Sequence, residues 1–297
     1  MKKLLVTMFV ALLMAGCGED EETTKVVEDD TATSAPEHSR EPSPAPAPGT
    51  PRPKPRTPPK KVSPAPVNLS TSAVEGKPFA IADLSMDMLW VKPGSFEMGS
   101  PLSEKDRFNA ESLHAVTLTE GFWLGKHEVT QSQWEKVVGS NPSHFKGVNR
   151  PVEKVSWTEV ISFCAKLTAL ESEAGRLPAG MAYQLPTEAE WEYACRAGTK
   201  TAFSFGDSLT SDQANIDAGP DETTDVGKYP ANPWGFHDMH GNVWEWCADR
   251  YGVYPTVAAT DPVGPAIGSF RVGRGGSWNF TADFARSALR RGFEPAG

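Results

Sequence analysis

The chain has 297 residues, 39% of them hydrophobic, and carries 38 Asp and Glu against 29 Lys and Arg, a formal charge of −9. That length suits one folded domain with a tail, and the acidic balance without a basic patch excludes nucleic acid as a partner. It contains no P-loop, dinucleotide-binding glycine loop or HExxH, which excludes the nucleotide and zincin chemistries those motifs carry.

Residues 1–17 read as a targeting segment. Lys2 and Lys3 precede an apolar run from Leu4 to Leu13, too short to span a bilayer, and Ala15-Gly16 lead into Cys17. Small residues directly before a Cys resemble a bacterial lipoprotein signal, with Cys17 lipidated; Met14 stands where such signals usually have Leu. The alternative is an ordinary secretory signal. Either way the chain is exported. The lipoprotein reading anchors it to the cell membrane or outer membrane, facing the periplasm or exterior.

Residues 18–78 read as a disordered linker. Gly18 to Ala35 holds seven Asp or Glu against one Lys, and Pro36 to Pro66 holds 12 Pro with six Lys or Arg against two Glu. Neither composition buries enough apolar surface to fold, and the Pro-rich part is expected to be an extended stalk. Cell-wall contact through Arg52, Lys54, Arg56, Lys60 and Lys61 is the functional alternative to a plain spacer.

The foldable part runs from Phe79 to Gly297. Leu89-Trp90-Val91 and Ser95 to Met98 suggest a hairpin around Pro93-Gly94, and Ala115–Thr119 and Gly121–Val129 suggest strands. Three capping boxes announce helices: Thr130 with Gln133, Ser156 with Glu159, and Thr187 with Glu190. In the second helix Val160, Ile161, Phe163, Cys164, Leu167 and Leu170 form one apolar stripe. From Phe203 to Gly235 regular signals fade. A loop of that length is usually functional or held by something, and Asn215, Asp217, Asp221 and Glu222 are its available oxygens.

The stretch Gly235 to Asp249 organises the rest. Val243-Trp244-Glu245-Trp246 alternates as a strand does, with the two Trp on one face and Glu245 on the other beside Val243 and Cys247. A carboxylate there is costly to bury unpaired. Asp238 and Glu245, with backbone carbonyls between them, make a hard oxygen-rich site of the kind calcium takes; a Glu that only fixes a loop is the alternative. His237 and His240 lack a third soft ligand and read as ordinary loop residues.

Three motifs carry a resemblance: Leu185-Pro186-Thr187-Glu188-Ala189-Glu190-Trp191-Glu192-Tyr193-Ala194, Gly241-Asn242-Val243-Trp244-Glu245-Trp246, and Arg271-Val272-Gly273-Arg274-Gly275-Gly276-Ser277-Trp278. In this order they resemble the formylglycine-generating enzyme, or sulfatase-modifying factor, family, from about Leu89 to about Phe293. The resemblance implies an α+β domain over 79–297 related to C-type lectins and rich in irregular structure. It implies structural calcium at Asp238, Gly241, Val243 and Glu245, the Gly and Val through their carbonyls, and a second calcium site beginning at Asn215 and Ile216, after which the loop here is shorter. It also implies an active cleft lined by residues matching Trp244 and Ser277.

The family's oxidases hold copper with two cysteines, at the third and eighth residues beyond that Ser. Here those positions are Phe280 and Ala285, so copper is not expected. Cys164 and Cys195 match the family's structural disulfide positions, but the usual partners after Ser277 are absent. They either pair with each other or stay buried with Cys247 as small apolar residues. The family's final strand after the Arg-Arg-Gly-Phe segment has no counterpart before Gly297: either the sequence is truncated at its C-terminus or one strand is absent, and an absent strand would expose a sheet edge. The iron enzymes of thiol–histidine sulfur chemistry need a further helical domain that 18–78 does not supply. The expected function is thus a membrane-anchored envelope protein that binds an unidentified small-molecule ligand or protein partner without copper redox chemistry. The alternative is an oxidase that converts a sulfatase Cys to formylglycine.

Overall fold

A computed structural model describes residues 69–217 and 219–296, with the backbone of Leu5–Val6 (β1) and Ala11–Leu12 (β2). Apart from those two dipeptides, the leader with Cys17 and the linker up to residue 68 lie outside the described residues. The last ten residues of the stretch read as linker, 69–78, belong to the fold. Ser70 accepts the Ala80 N–H at 2.8 Å, and Lys77 accepts the Trp123 indole N–H at 2.7 Å.

The strands that follow are Phe79–Ile81 (β3), Met86–Val91 (β4), Gly94–Met98 (β5), His114–Leu118 (β6) and Phe122–Gly125 (β7). Helices Gln131–Val138 (α1) and Trp157–Glu173 (α2), strand Ala182–Tyr183 (β8) and helix Glu188–Arg196 (α3) come next. Trp244–Arg250 (β9), Ala259–Thr260 (β10), Arg271–Arg274 (β11) and Arg291–Phe293 (β12) complete the fold. They form small sheets in the orders β3-β4-β7, β10-β6-β5, β12-β11-β9-β2 and β1-β8. This is the expected α+β architecture. All three capping boxes are made, with side chain and backbone reciprocally bonded at Thr130, Ser156 and Thr187.

Two expectations are corrected. Leu89–Val91 and Ser95–Met98 do not form a hairpin. β4 pairs with β7, setting Trp90 opposite Trp123, whereas β5 pairs with β6 in another sheet. The rings of Trp90 and Trp123 meet at 4.4 Å, and Lys92-Pro93 carries the chain from one sheet to the other. Gly94 is a strand residue that admits close approach, because a Cβ there would run into the Tyr193 hydroxyl. In α2 the stripe holds through Leu167, but Leu170 is exposed and Glu171 turns inward to pair with Arg176 at 2.6 Å. The Arg176 ion pair draws the carboxylate inward where the apolar pattern placed Leu170.

β9 is the wall between two cores. Trp244 and Trp246 face Val160, Phe163, Leu167, Leu289 and Phe293, while Cys247 faces Trp191, Ala194 and Val272. The alternation read from the sequence is therefore real, but both faces are buried. The loop after α3 carries a small core of its own, in which Ala202, Phe203, Leu209, Ala214 and Ile216 pack with Ala285.

Candidate functional site

On the Glu245 side of β9 the approaching chain makes a turn that depends on a glycine. Gly241 has φ 85°, and a Cβ there would strike the Asn215 carbonyl. Its N–H donates to the Gly275 carbonyl at 2.7 Å, and the Asn242 N–H donates to the Asn215 carbonyl at 2.7 Å. The Asn242 side chain ties three segments together. Its Oδ1 accepts from the Thr224 N–H at 2.9 Å and from Asn215 Nδ2 at 3.1 Å, and its Nδ2 donates to Glu128 Oε2 at 2.8 Å.

That turn gathers three buried carboxylates: Asp238, Glu245 and Glu128. Asp238 Oδ2 accepts the Gly227 N–H at 2.6 Å, and Glu245 Oε2 accepts the Trp191 indole N–H at 2.6 Å. Glu128 Oε1 and Glu245 Oε1 are buried with no hydrogen-bond partner. Burial first, and then the negative charges of Asp238 and Glu245, push the Glu128 carboxyl well above the usual carboxylate range. Burial raises Asp238 to about 7 and lifts Glu245 well above its ordinary value, with Asp238 adding to the latter. Carboxylates assembled out of water with oxygens left unpaired call for a cation. Oxygen donors alone suit calcium rather than a softer metal. Asp238, Glu245 and Glu128 would hold it, and it would supply the missing positive charge; the Gly241 carbonyl named with them already accepts the Val243 N–H at 2.8 Å. Among the described residues no three His, Cys, Asp or Glu side chains converge closely enough to enclose an ion as they stand. The carboxylates are gathered but not closed.

Glu128 is the residue sequence reasoning missed. Its signal was an acidic residue amid the buried run leading into the first capping box, in Lys126-His127-Glu128-Val129-Thr130. Asn215 also has a buried Oδ1 without a partner, while the Ile216 carbonyl accepts the Gly219 N–H at 2.7 Å. The other oxygens named in this loop do not join them. Glu222 pairs with Arg150 at 2.8 Å, and Asp217 and Asp221 are exposed. His240 donates from Nδ1 to the Ala285 carbonyl at 2.7 Å and accepts the Ser204 N–H at Nε2. Burial holds its pKa down at about 4, so it is neutral and fully engaged. His237 Nδ1 donates to the Tyr229 carbonyl.

The expected cleft is closed. Trp244 and Ser277 are buried. The Phe280 ring stands edge-on to Trp244 at 5.7 Å, with Phe293 on it at 5.3 Å, and Ser277 Oγ bonds Asn279 Oδ1 at 2.8 Å. Ala285 is buried beneath its short 3₁₀ turn, Ala282–Ala285. A pocket of about 510 Å³ opens beside that turn instead. Its floor is Ala202, Phe203, Leu209 and Ala282, and Glu104, Lys105, Lys200, Asp207 and Asp283 surround it.

Cys164, Cys195 and Cys247 are all buried, and the Cys164–Cys195 bridge left open by the sequence is not formed. Burial pushes Cys164 and Cys195 up to about 12 and Cys247 well above the ordinary thiol value. Cys195 Sγ lies 3.6 Å from Ser287 Oγ, so a hydroxyl after Ser277 stands beside a thiol matched to a family disulfide position. A dense buried ion network lies beyond. Glu188 and Glu192 of α3 are held by Arg274, Arg290 and Arg196.

The sulfatase-modifying factor enzyme 1-like domain model matches residues 77–297. "Chaperone protein LppX" of Paenibacillus barcinonensis is 30% identical over 72% of this chain and 86% of its own length. The formylglycine-generating enzyme of Mus musculus is 32% identical over 62% of this chain, which spans 48% of that enzyme. Among solved structures, Treponema denticola variable protein 1 superposes with a TM-score of 0.66 at 29% identity, covering 74% of this chain and 93% of its own.

Proposed function

The chain belongs to the sulfatase-modifying factor enzyme 1-like family, and from that premise we propose that it is a cell-envelope protein whose domain binds a ligand or protein partner without copper redox chemistry. The observation that carries this reading is the pair of positions after Ser277. Phe280 is an aromatic plug against Trp244, Ala285 is a buried methyl, and neither offers a soft donor. The remaining thiols are buried, protonated and distributed through the two cores. The oxidase alternative needs a reactive thiolate pair at a cleft, and a thiol raised to about 12 is neither nucleophile nor ligand at neutral pH. The charged pocket beside the Ala282–Ala285 turn, with its apolar floor, is where a polar ligand or peptide segment fits. Calcium in this reading is structural, tying the loop before β9 to Glu128.

An aromatic disulfide reagent tests the thiol argument. In native buffer it titrates none of Cys164, Cys195 and Cys247 within minutes, and all three after denaturation. A thiol that reacts at once in the folded chain overturns this reading. Membrane attachment rests on Cys17 and its leader. Cys17→Ala lets a high-salt wash strip the protein from the membrane fraction, which the wild-type chain resists, because acyl chains supply about 0.8 kcal/mol per buried CH₂ and are insensitive to salt. A wild-type protein already soluble after fractionation contradicts lipid anchoring.

A further inference from the structure

The chain between β9 and β11 runs from Tyr251 to Phe270 with Asp261 as its only charged residue. That carboxylate is spent on the backbone N–H and hydroxyl of Thr119. Within the loop only Ala259–Thr260 is a strand. Such a length without regular structure is uncommon in a compact domain unless it has a task. Tyr254 is buried in the second core, but the Val, Ile and Phe side chains face water: Val253 is 94% exposed and Ile267 85%, and Val257, Val263 and Phe270 are exposed as well. They project singly from turns rich in Pro and Gly. Val253 and Val263 share one pocket of about 370 Å³, Phe270 lines another, and Arg290 borders both, which joins these three side chains along one surface.

The two feet of this loop are arginines, set directly opposite each other. Arg250 on β9 pairs in register with Arg271 on β11. Like charges opposed across a ladder destabilise a sheet. Neither is in an ion pair among the described residues. Arg271 lies on the Trp157 ring at 3.7 Å and donates to the Ala248 carbonyl, and Arg250 donates to the Gly268 carbonyl. Arg291, at the start of the edge strand, is exposed over the Phe284 ring at 5.4 Å. An apolar projection whose one carboxylate is spent within the protein, collared by arginines in no ion pair among the described residues, on an otherwise acidic chain, has the composition of a bilayer contact.

We propose that the 251–270 loop docks on an anionic phospholipid surface, with Val253, Val257, Val263 and Ile267 entering the headgroup–acyl boundary and Arg250, Arg271 and Arg291 meeting lipid phosphates. Singly projecting aliphatics suit a fluid boundary better than a shaped protein groove, and the arginines select the anionic leaflet. The contact is independent of the lipid on Cys17, so its test uses the full chain carrying Cys17→Ser. That chain co-sediments with vesicles of phosphatidylcholine and phosphatidylglycerol at least about fivefold more than with phosphatidylcholine alone, and added salt weakens the binding. Val253→Asp with Ile267→Asp in the same background lowers the bound fraction at least about fivefold. The melting temperature is unchanged, because both side chains are already in water. A parent chain that stays in the supernatant with anionic vesicles overturns the proposal, as does a double variant that binds equally well. Self-association abolished by the same double variant, without vesicle binding, assigns the patch to a protein contact and overturns it too.

Discussion

Arg274→Met lowers the stability of the domain by about 3–5 kcal/mol, the cost of breaking a buried charge network by removing one partner. Arg274 is fully buried. Its guanidinium donates to the carbonyls of Ser287 and Leu289, to Glu192, and lies 3.3 Å from Glu188, so one side chain joins β11, α3 and the segment before β12. Without it Glu192 keeps only the Gly99 N–H at 2.9 Å and Arg196 at 2.8 Å, both on Oε1, and Oε2 is left buried without a partner. Glu188 is less affected, because Arg290 reaches both of its oxygens at 2.7 Å and the Tyr254 hydroxyl donates at 2.9 Å. At about 2–4 °C per kcal/mol for a domain of this size, the melting temperature falls by roughly 6–20 °C. Adding Glu192→Gln to Arg274→Met restores part of the loss, since the orphaned charge goes with it. A loss under about 1 kcal/mol in the single variant, by urea unfolding, contradicts the account of the network.

Removing calcium has the next largest effect. Chelation lowers the melting temperature, because a ion bound only by the native state stabilises it by RT ln(1 + [L]/Kd), about 2.7 kcal/mol at a hundredfold excess over Kd. Glu245→Gln keeps the shape and the bond from Trp191 but removes one charge, and the calcium-dependent increment shrinks. Glu128→Gln does the same, although Glu128 lies far from Glu245 in sequence. The direction with pH follows from the raised carboxyls. Asp238 binds its proton in the folded state up to about 7, but in the unfolded chain only to about 4. Without calcium its contribution to stability therefore declines as pH rises through that window. Calcium competes with the proton for the same oxygens, so its increment grows from pH 5 to pH 8. Melting curves indifferent to both calcium and chelator return the three carboxylates to a loop-fixing role.

Much of this is legible in the sequence alone. The capping boxes placed all three helices because each is a local reciprocal bond that tertiary contacts had no reason to break. The Trp244–Trp246 alternation fixed the facing of β9. The pairing of β4 was not legible, since Pro93-Gly94 carries the same turn signal whether the chain folds back or crosses to another sheet. Glu128 was missed for a related reason. Its companions Asp238 and Glu245 sit within one motif, whereas Glu128 meets them only through Asn242 and the packing of β7. The absent copper pair was visible as Phe280 and Ala285, but the plugging of Trp244 by Phe280 depends on how the 3₁₀ turn seats, which no spacing encodes.

The central claim is that this domain has no thiol-based oxidation chemistry, and the most direct measurement is peptide mass spectrometry. The purified full chain is incubated with a peptide bearing the sulfatase-motif Cys, in the presence of copper, reductant and oxygen. The account predicts that the peptide keeps its sulfur, because Phe280 and Ala285 present carbon and Cys247 lies on the face of β9 opposite Trp244. Conversion to formylglycine over multiple turnovers by the unmodified protein contradicts it.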